Sequence, residues 1–265
     1  MIGLGRRFFA GATPLSWLIG ANVAIYVVSV LIALGFYLAG QIGLFNTYYH
    51  KLALPGNPQL LLKQPWSLLT HIFIHDWRGF WHILINMLWL YWMGQLFLTV
   101  QPPQRLLWAY GIGGLGGAIG FLSYAWSHTG YNGYALGASA AVNGVFFATV
   151  ALMPNFRVFL FIFGPIALKW LALVWIFLDI LLTLGGNEAT AVAHLSGAGM
   201  GLLIGYLFGR GWRPEELGRS LSDLLREKEI TSEEVDRILD KINQKGLHSL
   251  TRRERETLKK AAERL

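Results

Sequence analysis

Cysteine is absent from the 265 residues of this chain, and charged residues are scarce. Without cysteine, the chain can form no disulfide framework, thiol nucleophile or Cys-ligated metal site. Charged residues make up 14% of the sequence, whereas a soluble domain has about 25%. Apolar residues make up 54%, and the mean hydropathy is +0.44. The excess of apolar residues has to face lipid, so the composition predicts an integral membrane protein in contact with a bilayer.

The few charges are concentrated toward the C-terminal end. Residues 1–209 contain only eight of the 22 Lys and Arg residues and three of the 15 Asp and Glu residues. We therefore predict a cytoplasmic N-terminal segment (1–14), a membrane domain (15–209) and a soluble, charged helical tail (210–265). The formal net charge of +7 requires no nucleic-acid partner, because arginines at the membrane interface account for it.

Six apolar stretches are candidates for membrane-spanning helices, which need about 20 residues each. These stretches are 15–38, 82–100, 106–127, 138–153, 168–184 and 191–209. The fourth is too short to reach both membrane surfaces, so we expect the other helices to surround it. The sequence thus predicts an all-α polytopic membrane protein, a bundle of six transmembrane helices with a small helical cytoplasmic tail.

The distribution of Lys and Arg among the loops predicts the orientation. The third and fifth loops (about 128–137 and 185–190) contain neither residue, whereas basic residues flank the opposite helix ends: Arg6, Arg7, Arg105, Arg157, Lys169 and Arg210. By the positive-inside rule, both termini are cytoplasmic. The first apolar stretch is interpreted as a retained signal anchor. The lack of a transit-like N-terminus favours a bacterial inner membrane.

Four polar residues lie in these stretches at a similar predicted depth, toward the outer leaflet: His82, Asn86, Ser139 and His194. Ionisable groups are costly in hydrocarbon, so they indicate a functional site. Ser139 and His194 are the minimal pair for nucleophilic catalysis, and a helix N-terminus at Ser139 favours a developing oxyanion. The structural alternative is a serine bonded to its own backbone and a His82–Asn86 pair that joins helices.

Small residues accompany both members of the Ser–His pair. Segment 137–144 is rich in Gly and Ala, and Gly197, Gly201 and Gly205 follow His194 at four-residue spacing. Such faces let helices approach closely, which would bring the serine hydroxyl within reach of the ring. GIGGLG (111–116) matches a dinucleotide-binding fingerprint, but it lies in an apolar span with no preceding strand. We therefore interpret its glycines as helix-packing positions.

Three motifs resemble the signature of the rhomboid intramembrane serine proteases: HILIN (82–86), GASA (137–140) and AHLSG (193–197). PWSLLTHIFIH (65–75) is similar to the first-loop segment of that family, and the resemblance covers about residues 15–209. It implies that Ser139 is the nucleophile and His194 its general base. It also implies an oxyanion hole made by the Ser139 amide with His82 and Asn86. The implied substrates are transmembrane segments of other proteins, which arrive laterally near spans two and five; no cofactor or metal is expected.

The chain departs from that family pattern at three positions. Ala140 follows the serine where Gly is frequent, and Asn143 stands where an aromatic residue often stacks on the catalytic ring. Trp66-Ser67 replaces the common Trp-Arg pair of the first loop. These differences concern the positioning of the histidine and the anchoring of the loop.

Several alternatives remain open from the sequence. A rhomboid-like pseudoprotease would bind membrane clients without cleaving them, although it would need neither Ser139 nor His194. A metal-dependent membrane hydrolase would use His71 and His75, which are four residues apart, together with other polar residues: His82, Asp76 and His194. The HExxH arrangement, however, is missing. Asp179, in the fifth span, either orients His194 or forms a helix-packing hydrogen bond.

The tail predicts two amphipathic helices separated by Gly246. Thr231–Glu234 and Thr251–Glu254 both match capping boxes. The two apolar faces consist of Val235, Ile238, Leu239 and Ile242 and of Leu258, Ala261, Ala262 and Leu265. About 50 residues are marginal for an independent core. The tail is either a small helical appendage or a docking site for an unknown partner or the membrane surface.

Overall fold

The computed structural model describes residues 13–160, 163–215 and 232–251, and then residues 254, 255, 257, 258 and 261. The chain divides into two compact units, with the division between Trp212 and Arg213. The helices of the first unit are α1 (Pro14–Leu38), α2 (Ile42–Tyr49), α3 (Pro58–Lys63), α4 (Ser67–Thr70), α5 (Phe80–Leu98), α6 (Pro103–Ser127), α7 (Ser139–Leu152), α8 (Leu168–Leu184) and α9 (Glu188–Gly209).

All six predicted apolar stretches are helical, as α1 and α5 to α9. Within the described residues, α1, α6 and α9 are long and apolar enough to cross a membrane, and α7 is a shorter apolar helix. Three of the six stretches are therefore candidate membrane spans by length and composition, and the count of six spans stays a prediction. The N-terminal segment 1–12, which includes Arg6 and Arg7, lies outside the described residues.

Two of the first-unit helices, α1 and α3, begin at a polar side-chain cap followed by a proline. Thr13 caps α1, because its Oγ1 accepts from the amide of Ser16 at 3.2 Å, and Pro14 occupies the first helical position. Asn57 caps α3 in the same way, with Oδ1 2.9 Å from the amide of Gln59. At these two helix starts, a short polar side chain satisfies an otherwise free backbone amide.

Helix α7 lies at the centre of the first unit. It packs chiefly against α9 and α6, and then against α5. Every residue from Ala140 to Val150 is buried. The expectation that other helices surround this short helix is confirmed. Its first residue, Ser139, therefore begins a helix that is held on several sides by other helices.

Glycine faces on α6 and α9 hold α7 between them. A Cβ added at Gly201 of α9 would lie 2.5 Å from the carbonyl oxygen of Gly144, and α7 backbone is equally close to Gly197 and Gly205. On α6, a Cβ added at Gly113 would lie 2.5 Å from the Cα of Gly144. No side chain fits at such distances, so the predicted small-residue packing on both helices is confirmed.

Two short antiparallel strand pairs accompany the helices, which the all-α prediction did not include. Strand β1 (Leu54–Pro55) pairs with β2 (Tyr134–Ala135), with Leu54 opposite Ala135. Strands β3 (Arg157–Leu160) and β4 (Gly164–Ala167) pair with each other between α7 and α8. The β1–β2 pair ties the first loop to the loop that precedes α7, and so reaches the neighbourhood of Ser139.

The second unit contains α10 (Ser232–Lys245), which ends at Gly246 with φ +77°. Thr251 and Glu254 form the predicted capping box: the Thr251 amide donates to Oε2 at 2.7 Å, and the Glu254 amide donates to the Thr251 hydroxyl at 3.3 Å. The other predicted capping box begins at Thr231, outside the described residues. Ile238 is buried, but Leu239, on the same predicted face, is 47% exposed.

Candidate functional site

Ser139 begins α7, and the glycine two residues before it sets the path of the chain. Gly137 has φ +121°, a conformation that residues with a Cβ rarely adopt. A Cβ added there would also lie 2.9 Å from Cε1 of His82 and 4.0 Å from the hydroxyl of Ser139. Glycine is thus required both for the turn into α7 and for the close approach of the His82 ring.

The histidines of the first loop hold the segment before Ser139. The Gly137 amide donates to the carbonyl of His71 at 2.9 Å, and the Ala138 amide donates to Nε2 of His75 at 3.3 Å. Burial lowers the pKa of both histidines from 6.5 to about 4. Both rings are therefore neutral at neutral pH, as the acceptor role of His75 requires.

The first loop is anchored even though serine replaces the arginine of the family pattern. Nε1 of Trp66 donates to the carbonyl of Lys51 at 2.8 Å. Ser67 is fully buried, and its carbonyl accepts a hydrogen bond from Nδ1 of His71 at 2.9 Å. Backbone carbonyls therefore take part in this anchoring.

The structure brings Ser139 and His194 together, as the small-residue faces led us to expect. Nε2 of His194, on α9, lies 2.7 Å from the hydroxyl oxygen of Ser139. Its other ring nitrogen, Nδ1, lies 2.7 Å from Oδ1 of Asp179 on α8. Asn143 contacts the same residue differently, since its Nδ2 donates to the backbone carbonyl of His194 at 3.4 Å. A serine hydroxyl bonded to an imidazole in this way can be deprotonated as it attacks an electrophile.

The amide of Ser139 is available for a ligand. Ser139 is the first residue of α7, and the amides of a helix's first turn have no acceptor within the helix. Among the described residues, no acceptor is recorded for this amide. It can therefore donate to a negative charge that develops beside the hydroxyl.

Asn86 is buried on α5, whereas His82, one turn before it, is exposed, and the two differ in their relation to the site. His82 faces Gly137, whereas the side-chain amide of Asn86 donates to the carbonyl of His82 at 2.8 Å. An NH₂ group has a second hydrogen to donate. In the described residues, Asn86 makes no hydrogen bond to Ser139 or His194, so the structure does not bring it into direct contact with the pair.

A cavity of about 120 Å³ opens beside Ser139 and His194. Its wall includes His71, Tyr131 and Thr190, and the loop before α7 forms one side. A water molecule occupies about 30 Å³ in the liquid, so the cavity holds several. The polar loop at 127–136 therefore borders a space that water can occupy next to Ser139.

The described residues contain no group of three or more His, Asp or Glu side chains placed to bind one metal ion. Two of the histidines that the metal-hydrolase alternative would use make other contacts. Nδ1 of His71 donates to a carbonyl, and Nε2 of His75 accepts from the amide of Ala138. The geometry of the first loop thus favours a structural role for both.

Sequence reasoning left the role of Asp179 undecided and missed that of His75. Asp179 is one of three acidic residues before residue 210, and this scarcity is the signal that could have singled it out. For His75, only its spacing from His71 stood out, and that spacing suggested a metal ligand. Its contact with the Ala138 amide depends on a fold-back of 63 residues that no local pattern reveals.

Comparisons with known proteins agree with the motifs. The Rhomboid domain family model matches residues 62–211, so α1 lies before the match. The model of a family of unknown function, DUF6576, matches residues 226–264 in the second unit.

The chain is also 34% identical over 146 residues to the mitochondrial RHOMBOID-like protein 12 of Arabidopsis thaliana. That match covers 50% of this chain and 43% of the relative, so the chain spans less than half of the relative's length. A mitochondrial relative gives no support to the predicted bacterial inner membrane. The Rhomboid model, however, covers more than half of the sequence. The chain therefore belongs to the rhomboid family.

Proposed function

We propose that the chain is an intramembrane serine endopeptidase that cleaves peptide bonds in or near transmembrane segments of other proteins. One observation carries the proposal: the 2.7 Å contact between the Ser139 hydroxyl and Nε2 of His194. The pair borders a cavity large enough for water and a helix N-terminus with a free amide. Family membership supports the same conclusion. A protein that only bound its clients would need none of these features together.

The reaction proceeds in two halves. The Ser139 oxygen attacks the carbonyl carbon of the scissile bond while Nε2 of His194 takes the hydroxyl proton. The tetrahedral oxyanion collapses, the C–N bond breaks, and the imidazolium returns its proton to the leaving amine. Water from the cavity then attacks the acyl ester, His194 again takes and returns a proton, and the free acid leaves Ser139 restored.

The oxyanion in this proposal is stabilised by the Ser139 amide, the His82 ring and the side chain of Asn86. The amide and His82 are supported by their positions next to the hydroxyl and Gly137. Asn86 takes part with the hydrogen that it does not donate to the carbonyl of His82, or through its effect on the position of α5. No cofactor or metal is needed for these steps.

We further propose that α1 and α5 to α9 all enter the bilayer, with both termini in the cytoplasm. Helix α8 has a row of exposed apolar side chains: Trp170, Leu173, Val174, Phe177, Leu178 and Leu181. An apolar surface of this extent is typical of contact with lipid. Residues 1–14, 15–209 and 210–265 then form the cytoplasmic segment, the membrane domain and the soluble tail. The membrane in which the protein resides stays a prediction.

The direct test is cleavage of a reporter transmembrane protein by the purified full chain in liposomes. The wild type should give two fragments, and Ser139→Ala should give none. Ser196→Ala is the matched control, since it removes a hydroxyl from α9 outside the proposed machinery and should leave cleavage intact. Wild-type turnover by Ser139→Ala would contradict the nucleophile assignment. A wild type that binds the reporter without ever cutting it would establish the pseudoprotease instead.

A further inference from the structure

Asp179 lies on α8, one helix away from the Ser139–His194 pair. It is 5% exposed, and its Oδ1 contacts Nδ1 of His194 at 2.7 Å. We propose that Asp179 is a positioning residue that fixes the tautomer and the orientation of the His194 ring. This inference deepens the proposed function and rests on it for its catalytic meaning, because the contact turns the Ser–His pair into a line of three side chains.

The two hydrogen bonds of the imidazole determine where its proton lies. Both measure 2.7 Å, at the short end of the range for such bonds. A carboxylate oxygen accepts a hydrogen bond, so Nδ1 of His194 carries the ring proton and donates a hydrogen bond to Oδ1 of Asp179. Nε2 is then left as an acceptor for the hydroxyl of Ser139. Only this tautomer lets the imidazole remove the serine proton during attack.

Little else in the described residues constrains the ring. Asn143, where the family pattern often has a stacking aromatic residue, contacts the backbone carbonyl of His194 and not its imidazole. No ring contact to His194 is found in the described part of the chain; the recorded ring contacts of histidines are stacking at His50 and His128 and an edge-on contact between His75 and His82. Asp179 is therefore the side chain that can hold the imidazole at Nδ1 while Ser139 contacts it at Nε2.

The alternative, a hydrogen bond that merely joins α8 to α9, fits the carboxylate less well. The second oxygen, Oδ2, is buried and has no hydrogen-bond partner in the structure. A buried carboxylate with an unpaired oxygen is costly, and an apolar residue of similar size would pack there more favourably. A group that weakens the packing is expected where it serves the chemistry. Packing alone thus gives no reason for a carboxylate at this position.

The kinetic test compares Asp179→Asn, Asp179→Glu and the control Glu188→Gln in the full chain. Asp179→Asn should lower kcat on the order of 10²–10⁴-fold with little change in KM, because the amide no longer secures the Nδ1–H tautomer. Its melting temperature should not fall. Asp179→Glu restores a carboxylate and should recover part of kcat. Glu188→Gln removes the same charge from the helix of His194 and should behave like the wild type.

A structural role alone would give the opposite pattern. Asp179→Asn would then lower the melting temperature, and its activity loss would match the loss of folded protein. Wild-type kcat in Asp179→Asn would likewise overturn the inference, and would leave the proposed function intact.

A second measurement reads the tautomer without requiring activity. Nitrogen-15 NMR of histidine-labelled protein, with His194 assigned by its loss in His194→Gln, should show Nδ1 protonated and Nε2 unprotonated in the neutral ring. Asp179→Asn should alter that state, and Glu188→Gln should not. A wild-type ring protonated on Nε2 would overturn the inference. A wild type with the expected tautomer but no cleavage would uphold the positioning role and reject the protease.

Discussion

Helices α7 and α8 are both apolar and similar in length, yet they occupy opposite environments. Every residue of α7 from Ala140 to Val150 is buried, whereas α8 exposes most of its large side chains. Hydrophobicity does not distinguish the two helices; the glycine faces of their neighbours do. The comparison teaches that small residues on α6 and α9 determine the position of Ser139, while α8 contributes the contact of Asp179 with His194.

The largest effect is expected when a bulky side chain fills the glycine face of α9, on which the burial of α7 depends. Gly201→Leu should abolish both folding and cleavage, because its side chain would meet the α7 backbone, 2.5 Å from a Cβ at this site. Overpacking of a core costs about 1–3 kcal/mol where side chains can shift, and backbone cannot shift as easily. Gly199→Leu is the matched control, since nothing lies within 4 Å of a Cβ there. Melting temperature in detergent is the measurement, and equal behaviour of the two variants would refute the packing account.

Helix α5 also has a buried face and an exposed face, and substitutions on the two faces should differ in their effect on activity. Asn86→Ala should lower kcat about 10²–10³-fold, or ~3–4 kcal/mol of barrier, if one oxyanion donor is lost. Ile85 lies on the outer face of α5 and is 57% exposed, so Ile85→Ala should change kcat little. Because Asn86 and His82 share a hydrogen bond, the effects of replacing both should not add. An activity loss fully explained by a lower melting temperature would favour the helix-joining role.

The buried histidines of the first loop are expected to make the stability of the protein depend on pH. The pKa of His71 and of His75 is lowered to about 4 in the folded protein. Protonation therefore favours the unfolded state. The free energy of unfolding has its full value above pH 6.5 and falls as the pH drops toward 4. Protonation of each histidine lowers the free energy of unfolding by up to about 3 kcal/mol. Melting temperature against pH checks this, with His75→Gln expected to lose part of the acid sensitivity; a flat profile would contradict it.

The smallest effect is expected from removal of the tail. Truncation after Arg213 should preserve cleavage, because Ser139, His194 and their neighbours all lie in the first unit. Cleavage of the reporter in liposomes, compared with the full chain, is the measurement. A truncated protein that melts normally but does not cut would make the tail part of the mechanism. Docking of a partner by the tail stays a prediction.

Much of the fold follows from features that are local in the sequence. The lengths of the apolar stretches predict the six long helices, and the Gly and Ala spacing predicts how α6, α7 and α9 meet. The proximity of Ser139 to His194 follows from those faces. These predictions succeed because helix formation and close helix contact depend on residues a few positions apart.

Other features could not be read from the sequence, because they depend on how distant segments turn toward each other. The β1–β2 pair joins two-residue strands separated by 78 residues, too short to leave an alternating pattern. The hydrogen bond of Asp179 depends on the rotation of α8 about its own axis, which an almost uniformly apolar helix does not reveal. The amide of Asn86 turns to the carbonyl of His82, a rotamer choice that spacing cannot predict.

The most direct test of the central claim is labelling by a fluorophosphonate, with the modified residue identified by mass spectrometry. The reagent reacts with a serine oxygen only when a neighbouring base activates it. We expect one label on Ser139 in the wild type and in Ser196→Ala, and none in His194→Ala. A label on another serine, or undiminished labelling of Ser139 without His194, would contradict the account.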